Sequence, residues 1–129
     1  MTMRRLAAFT ILLILLIGND GYAQESIRYV FVDAKCAAGF EALPDADQKH
    51  ILTSIREMTF DDPAKVMFAE NDVKGLFKAA IKDKYPDSLN QLEGVYVYIL
   101  NSAEEARVSK DQLADKYRSR GIALIEMDL

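Results

Sequence analysis

Three short runs rich in β-branched and aromatic residues punctuate the chain and predict strands. They cover residues 27–33 (IRYVFVD), 95–100 (VYVYIL) and 122–128 (IALIEMD). The first run is apolar on both alternating faces after Arg28, which is typical of a strand covered on two sides. The second run alternates, with Val95, Val97 and Ile99 on one face and Tyr96, Tyr98 and Leu100 on the other.

Between the first two runs, apolar residues recur at helical spacing. Asp45 and Gln48 form a capping-box pattern, and a first helix is predicted over about residues 46–59 from the spacing of Ile51, Leu52, Ile55 and Met58. That helix would place His50 on its polar side, opposite the apolar stripe.

The following segment, residues 64–70, fits either a helical turn or a short strand. Asp62 before Pro63 is a helix-start signal, so a helical turn is favoured. A second helix is predicted from Asn71 or Asp72 to just before Pro86, with one apolar stripe formed by Val73, Leu76, Phe77, Ala80 and Ile81.

Two capping boxes follow the second strand. Ser102 pairs with Glu105 and Ser109 with Gln112, so either one helix runs through both or a turn precedes a helix over about residues 110–120. Gly121 is placed to end that helix.

This order of elements predicts a small α/β or α+β domain over residues 24–129. We expect a three- or four-stranded mixed sheet packed by about three helices. A right-handed crossover would make the last two strands parallel.

The N-terminal residues have the three parts of a secretory signal. Arg4 and Arg5 precede an apolar stretch at residues 6–17, and Gly21 and Ala23 stand before a cleavage point at Gln24. Residues 1–23 are therefore predicted to be a cleaved signal peptide. The protein is expected to be exported, periplasmic or secreted, with no integral membrane span after cleavage.

Charge and residue usage narrow the classes of function. The net charge of −4 gives no basic face for nucleic acid. The chain has one histidine and one cysteine and lacks metal-binding, phosphate-binding and dinucleotide motifs, so we expect no metal and no cofactor. This scarcity of catalytic residue types favours a protein that is not an enzyme.

Cys36 follows the first strand and has three interpretations. The favoured one is a small buried residue that packs at the strand end. The second is an intermolecular disulfide that joins a homodimer. The third is a nucleophile with His50 as its base.

Two groups of residues are candidate binding surfaces. Lys74, Lys78 and Lys82 recur every four residues along the second helix and suit an anionic partner, or else form a solvated face. Tyr96 and Tyr98 share one sheet face, where they would stack on a ligand if exposed or join the core if covered.

The segment 95–125 contains a strand, NSAEEA, a helix and YRSRGIALI. In this order it resembles the second half of the exported, peptidoglycan-binding sporulation-related repeat domains. The resemblance implies a cell-wall polymer as ligand. Asn101 and Ser102 stand where that family has a glycine and a small residue before an aromatic one.

Together these observations lead to the hypothesis of an exported, non-enzymatic binding or interaction module of the cell envelope. Its partner would be an envelope protein or a cell-wall polymer. The alternatives are a thiol-dependent enzyme that uses Cys36 with His50, and a periplasmic inhibitor of a hydrolase.

Overall fold

Strand β1 (Ser26–Cys36) lies at the centre of a five-stranded mixed sheet in the computed structural model, which describes residues 25–129. Residues 30–34 of β1 are each at most 2% exposed. The strand is therefore covered on both faces, as its continuous apolar sequence predicts. The predicted signal peptide, residues 1–23, lies outside the described residues.

The region predicted as a first helix is instead two strands, β2 (Lys49–Thr53) and β3 (Arg56–Phe60). Both pair antiparallel with the same edge of β1. Asp33 pairs with Leu52 and Val30 with Arg56, so four steps along β2 and β3 match three along β1. Together β2 and β3 are one strand with an extra residue at the break, which is the geometry of a β-bulge.

The helix prediction was wrong because β2 is buried on both faces. Its apolar residues are therefore consecutive, and with the bulge they reproduce a helical spacing by coincidence. At the break, Thr53 Oγ1 accepts a hydrogen bond from the Val32 amide at 2.8 Å. This side chain satisfies a backbone donor of the central strand that the interruption would leave unpaired.

Strand β4 (Leu92–Leu100) pairs antiparallel with the other edge of β1, and β5 (Ala123–Met127) pairs parallel with β2. β1 runs antiparallel to both β2 and β4, so β2 and β4 run in the same direction. Because β5 is parallel to β2, β4 and β5 also run in the same direction, as predicted. β4 forms one edge of the sheet, and β5 lies at the opposite edge together with β3, which pairs only with β1. The sheet thus has five strands, more than the three or four predicted.

Residues 25–129 contain two α-helices and two short 3₁₀ segments, where about three helices were predicted. Helix α1 (Ala69–Lys84) follows a 3₁₀ segment (Pro63–Phe68), and helix α2 (Ala103–Ser119) begins at the Ser102 cap. A second 3₁₀ segment (Pro86–Ser88) leads into β4. The helical turn favoured for residues 64–70 is confirmed, and one helix runs through both predicted capping boxes of α2. Gly121 follows with φ of 72°, the left-handed conformation that glycine adopts without strain.

The two α-helices cover opposite faces of the sheet. Val73, Phe77 and Ile81 of α1 pack with Val30 and Val32. On the other face, Ala114 and Tyr117 of α2 pack with Phe31 and Leu52. Neighbouring residues of β1 therefore belong to different cores. None of the helices among the described residues has the length and apolar character needed to span a bilayer.

Candidate functional site

A carboxylate lies in the middle of the sheet, on the face that α2 covers. Asp33 of β1 is only 2% exposed, and both of its oxygens are bonded. Oδ1 lies 2.8 Å from His50 Nδ1, and Oδ2 accepts a hydrogen bond from the Tyr117 hydroxyl. A buried carboxylate is costly unless it is paired and hydrogen-bonded, and this one meets both conditions.

Three different elements supply these side chains. His50 stands on β2 opposite Lys35, which places it diagonally across from Asp33 on the same face. Its ring centroid lies 4.2 Å from that of Tyr117 on α2, and the His50 side chain is 12% exposed. The imidazole is thus held by one hydrogen bond and one ring contact.

The phenols near Asp33 remain neutral. Burial, followed by the hydrogen bond to Asp33 and its charge, raises the pKa of Tyr117 well above the ordinary value. Burial, followed by the charge of Asp33, also raises the pKa of Tyr98. Near neutral pH, Tyr117 therefore acts as a hydrogen-bond donor to the carboxylate.

His50 also borders a cavity of about 240 Å³ at the end of the sheet where β1 leaves and β2 enters. Its Nδ1 is engaged by Asp33, whereas Nε2 has no hydrogen bond within residues 25–129. Every fully buried side-chain nitrogen or oxygen of the described residues does have a partner. Nε2 is therefore not fully buried, and His50 is one of the residues that line the cavity.

Cys36 lines the same cavity, but its side chain packs in the core on the α1 face of the sheet. It is 6% exposed, and its closest polar contact is the Ala34 carbonyl oxygen, 4.0 Å from Sγ. Burial raises the pKa of the thiol to about 11. No hydrogen bond joins Cys36 to His50. The structure brings the two predicted catalytic candidates to one cavity, but with the thiol largely protonated at neutral pH.

Lys49 is a buried residue that the sequence analysis missed. It is 2% exposed, and its ammonium donates to the carbonyl oxygens of Phe40, Ala42 and Leu43 at 2.8, 3.0 and 3.2 Å. These three bonds use all the donors of the ammonium. Lys49 therefore fastens the connection between β1 and β2 and has no donor left for a ligand. The signal in the sequence is its alternation with Ile51 and Thr53, which face the same buried side.

The outer edge of β4 has no strand beside it within residues 25–129. Glu93 is its one charged residue, and Tyr96 is 58% exposed. Tyr98 instead stacks on Phe31 with centroids 4.8 Å apart, so it belongs to the core. The two tyrosines share a face, as predicted, but only Tyr96 is available to a partner.

Two grooves flank this edge on opposite faces of the sheet. The groove on the α1 face has a volume of about 430 Å³ and is lined by Lys78, Leu89, Asn90, Leu92 and Val95. The groove on the α2 face has a volume of about 390 Å³ and is lined by Leu100, Glu104, Glu105, Val108 and Ser109. One groove therefore carries a positive side chain and the other two negative ones.

The three lysines of the predicted binding stripe lie in three different environments. Lys74 pairs with Glu70 at 3.1 Å, Lys78 lines the groove on the α1 face, and Lys82 is exposed outside both grooves. Of the predicted binding residues, Lys78 and Tyr96 thus lie beside the free edge of β4. No three histidine, cysteine or acidic side chains of the described part of the chain are grouped as a metal site.

Comparison with known proteins finds no family, no curated protein and no solved structure that matches the chain.

Proposed function

We propose that the protein is an exported interaction module of the cell envelope that binds an extended segment of a partner protein along the free edge of β4. The observation that carries this proposal is the nine-residue edge strand with one groove on each face. This function retains the binding role expected from the sequence and names a protein, rather than a cell-wall polymer, as the partner.

The backbone of β4 supports the proposal. An edge strand presents unpaired N–H and C=O groups, and proteins usually protect such edges with lysine, proline, bulges or short length. β4 has no lysine or proline, and its one irregularity lies near its start, between the Lys35 and Cys36 pairings. The opposite edge is divided between β5 and β3, which have only five residues each. A polymer of sugars would not offer the regular backbone groups that the free edge of β4 can bond.

The positions of the two grooves favour a partner segment that has particular side chains at two defined positions. Successive side chains of a strand point to opposite faces, so an added strand sends alternate side chains into the two grooves. The grooves lie near Val95 and Leu100, which are an odd number of positions apart. Two side chains five positions apart on the added strand would therefore reach the two grooves.

The charges set the order of those two side chains. An antiparallel strand has its earlier residues next to Leu100 and its later residues next to Val95. Glu104 is already paired with Arg107 at 2.6 Å, so Glu105 is the residue that favours a basic side chain at the first position. Lys78 favours an acidic residue five positions later. The expected partner motif is Lys-x-x-x-x-Glu within a β-forming segment.

Titration of the protein with a synthetic peptide tests this function. The probe is a twelve-residue peptide that contains Lys-Thr-Val-Thr-Val-Glu, and the controls are the peptide with Lys and Glu exchanged and one with a central proline. We expect the first peptide to bind more tightly than both controls. Lys78→Glu should weaken binding at least about fivefold, since loss of an attraction of about 1 kcal/mol alone has that effect and the repulsion adds to it.

Lys82→Glu is the matched control variant, because Lys82 lies one turn further along the same helix and lines neither groove. It should bind the peptide like the wild type. Equal affinity for all three peptides would contradict strand addition. Retention of the protein on purified cell wall in place of peptide binding would identify the polymer as the partner instead.

A further inference from the structure

The cluster of Asp33, His50 and Tyr117 has a feature that packing does not require. Both oxygens of its carboxylate are bonded, whereas Nε2 of the imidazole has no hydrogen bond within residues 25–129 and His50 lines the 240 Å³ cavity. The segment-binding function uses none of these three residues, so a role for this cluster is independent of that function.

The hydrogen bond to Asp33 determines which nitrogen is basic. A carboxylate accepts, so His50 Nδ1 carries the hydrogen and donates it to Oδ1 at 2.8 Å. In the neutral ring, Nε2 then carries the lone pair. The contact with the Tyr117 ring restricts rotation of the imidazole away from this position. The cavity therefore has an oriented base at its wall.

We propose that His50 is a general base that activates water in this cavity for the hydrolysis of small carboxylic esters. Nε2 takes a proton from water, and the water oxygen bonds to the ester carbonyl carbon. The bond from that carbon to the alcohol oxygen then breaks, and the proton on Nε2 passes to the departing oxygen. A carboxylic acid and an alcohol are released, and no other reactant is consumed.

Asp33 and Tyr117 are positioning residues in this proposal. Asp33 fixes the tautomer of His50 and stabilises the imidazolium that forms when Nε2 takes up the proton. The Tyr117 hydroxyl engages the second oxygen of Asp33, which leaves Oδ1 for His50. Neither residue lines the cavity, so neither touches the substrate.

The cavity selects the class of substrate by size and charge. A volume of about 240 Å³ equals roughly eight water molecules, which admits a short acyl group together with the attacking water. Lys35 and Glu93 at the wall pair with each other at 3.3 Å, so they favour an uncharged substrate. The Lys35 ammonium is also the group available to stabilise negative charge on the carbonyl oxygen.

The charged groups around His50 come from every neighbouring element. Asp33 and Lys35 lie on β1, Lys49 on the same strand as His50, Glu93 on β4 and Tyr117 on α2. Cys36 and Asp47 are the other titratable residues of the cavity wall. The thiol of Cys36 is largely protonated and makes no hydrogen bond to His50, and the ammonium of Lys49 is fully used by three carbonyl groups. Water is therefore the nucleophile that the geometry favours.

Hydrolysis of p-nitrophenyl acetate by the purified protein tests this proposal. Per mole, we expect the wild type to exceed free imidazole at the same pH by roughly tenfold or more. The rate of His50→Gln should fall to the buffer rate, and the rate of Tyr29→Phe, whose side chain does not line the cavity, should stay at the wild-type value. In Asp33→Asn, the rate should fall and nitrogen NMR should show that the hydrogen of neutral His50 is no longer confined to Nδ1, because an amide can donate as well as accept. A purely structural role of Asp33 would leave this tautomer unchanged.

The chain has a single histidine, so nitrogen NMR of the wild type reports on His50 without any substitution. In the wild type, we expect neutral His50 to carry its hydrogen on Nδ1. This measurement remains informative even if a variant does not fold. A wild-type rate no higher than that of imidazole, acetyl transfer to Cys36, or a hydrogen on Nε2 would each overturn the proposal. Loss of peptide binding at β4 would leave it intact.

Discussion

His50 Nδ1 lies 2.8 Å from Asp33 Oδ1, although the two residues are 17 positions apart in the chain. The contact joins the centre of β1 to β2 beneath α2, and the Tyr117 hydroxyl brings α2 to the same carboxylate. The carboxylate of Asp33 therefore links three elements, β1, β2 and α2. The stability of this face depends on how completely that group is bonded.

We expect Tyr117→Phe to lower the free energy of unfolding by about 2 kcal/mol. The change leaves the aromatic ring in place but removes the hydrogen bond to a buried carboxylate, which then has one oxygen unbonded. Chemical unfolding of the two proteins measures this difference.

Tyr29→Phe is the matched control, since the Tyr29 hydroxyl also faces a carboxylate, that of Glu57, but at 3.4 Å on the surface. It should change stability by less than about 0.5 kcal/mol. Equal effects of the two substitutions would show that burial of Asp33 adds nothing to its hydrogen bond with Tyr117.

The pKa of Cys36, raised by burial from the ordinary 9.0 to about 11, predicts slow reaction with thiol reagents. At pH 8 the native protein should be labelled about a hundredfold more slowly than an unfolded control, because each pKa unit lowers the thiolate fraction tenfold. Labelling at the unfolded rate in native buffer would mean that the thiol is accessible and ionised.

The same pKa shift predicts how stability changes with pH. Between pH 9 and about 11, the folded protein holds a proton on Cys36 that the unfolded chain has lost. The contribution of Cys36 to stability is therefore complete below pH 9 and is lost as pH rises towards 11. Unfolding curves across this range should show a smaller loss of stability in Cys36→Ala than in the wild type. An equal loss of stability in both proteins would contradict a raised pKa of the Cys36 thiol.

Lys49→Met should loosen the connection between β1 and β2. The substitution keeps an apolar stem but removes the ammonium that binds three carbonyl oxygens. We expect a loss of about 2 kcal/mol, which corresponds to a fall in Tm of roughly 10 °C for a domain of this size. Lys82→Met, at an exposed position of α1, should shift Tm by less than about 2 °C. A shift of that small size in Lys49→Met would show that the three bonds contribute little.

The sequence predicted the elements whose pattern is local. β1, β4, β5, α1 and the caps at Asp62 and Ser102 follow from alternation, helical spacing and side-chain capping over a few residues. The region of β2 and β3 could not be predicted in this way, because burial on both faces and the bulge are properties of the assembled sheet. Tertiary packing there overrides a helical spacing of apolar residues.

The site was predicted only in part for a similar reason. His50 attracts attention as the one histidine, whereas its partners Asp33 and Tyr117 depend on strand register and on the position of α2. One signal was present: Asp33 stands inside an apolar strand covered on both faces, where a carboxylate requires a partner. The role of β4 as a free edge could not be predicted, since strand order is set by long-range pairing.

Residue-resolved amide hydrogen exchange of β4, with and without the Lys-Thr-Val-Thr-Val-Glu peptide, tests the proposed binding function most directly. In the free protein, we expect alternate amides of Leu92–Leu100 to exchange rapidly, because an edge strand directs every second N–H away from its neighbour. Saturating peptide should slow these amides at least about tenfold and leave Ala123–Met127, an edge strand on the other side of the sheet, unchanged. Exchange in β4 that does not respond to the peptide, or protection that develops in β5 instead, would contradict strand addition at β4.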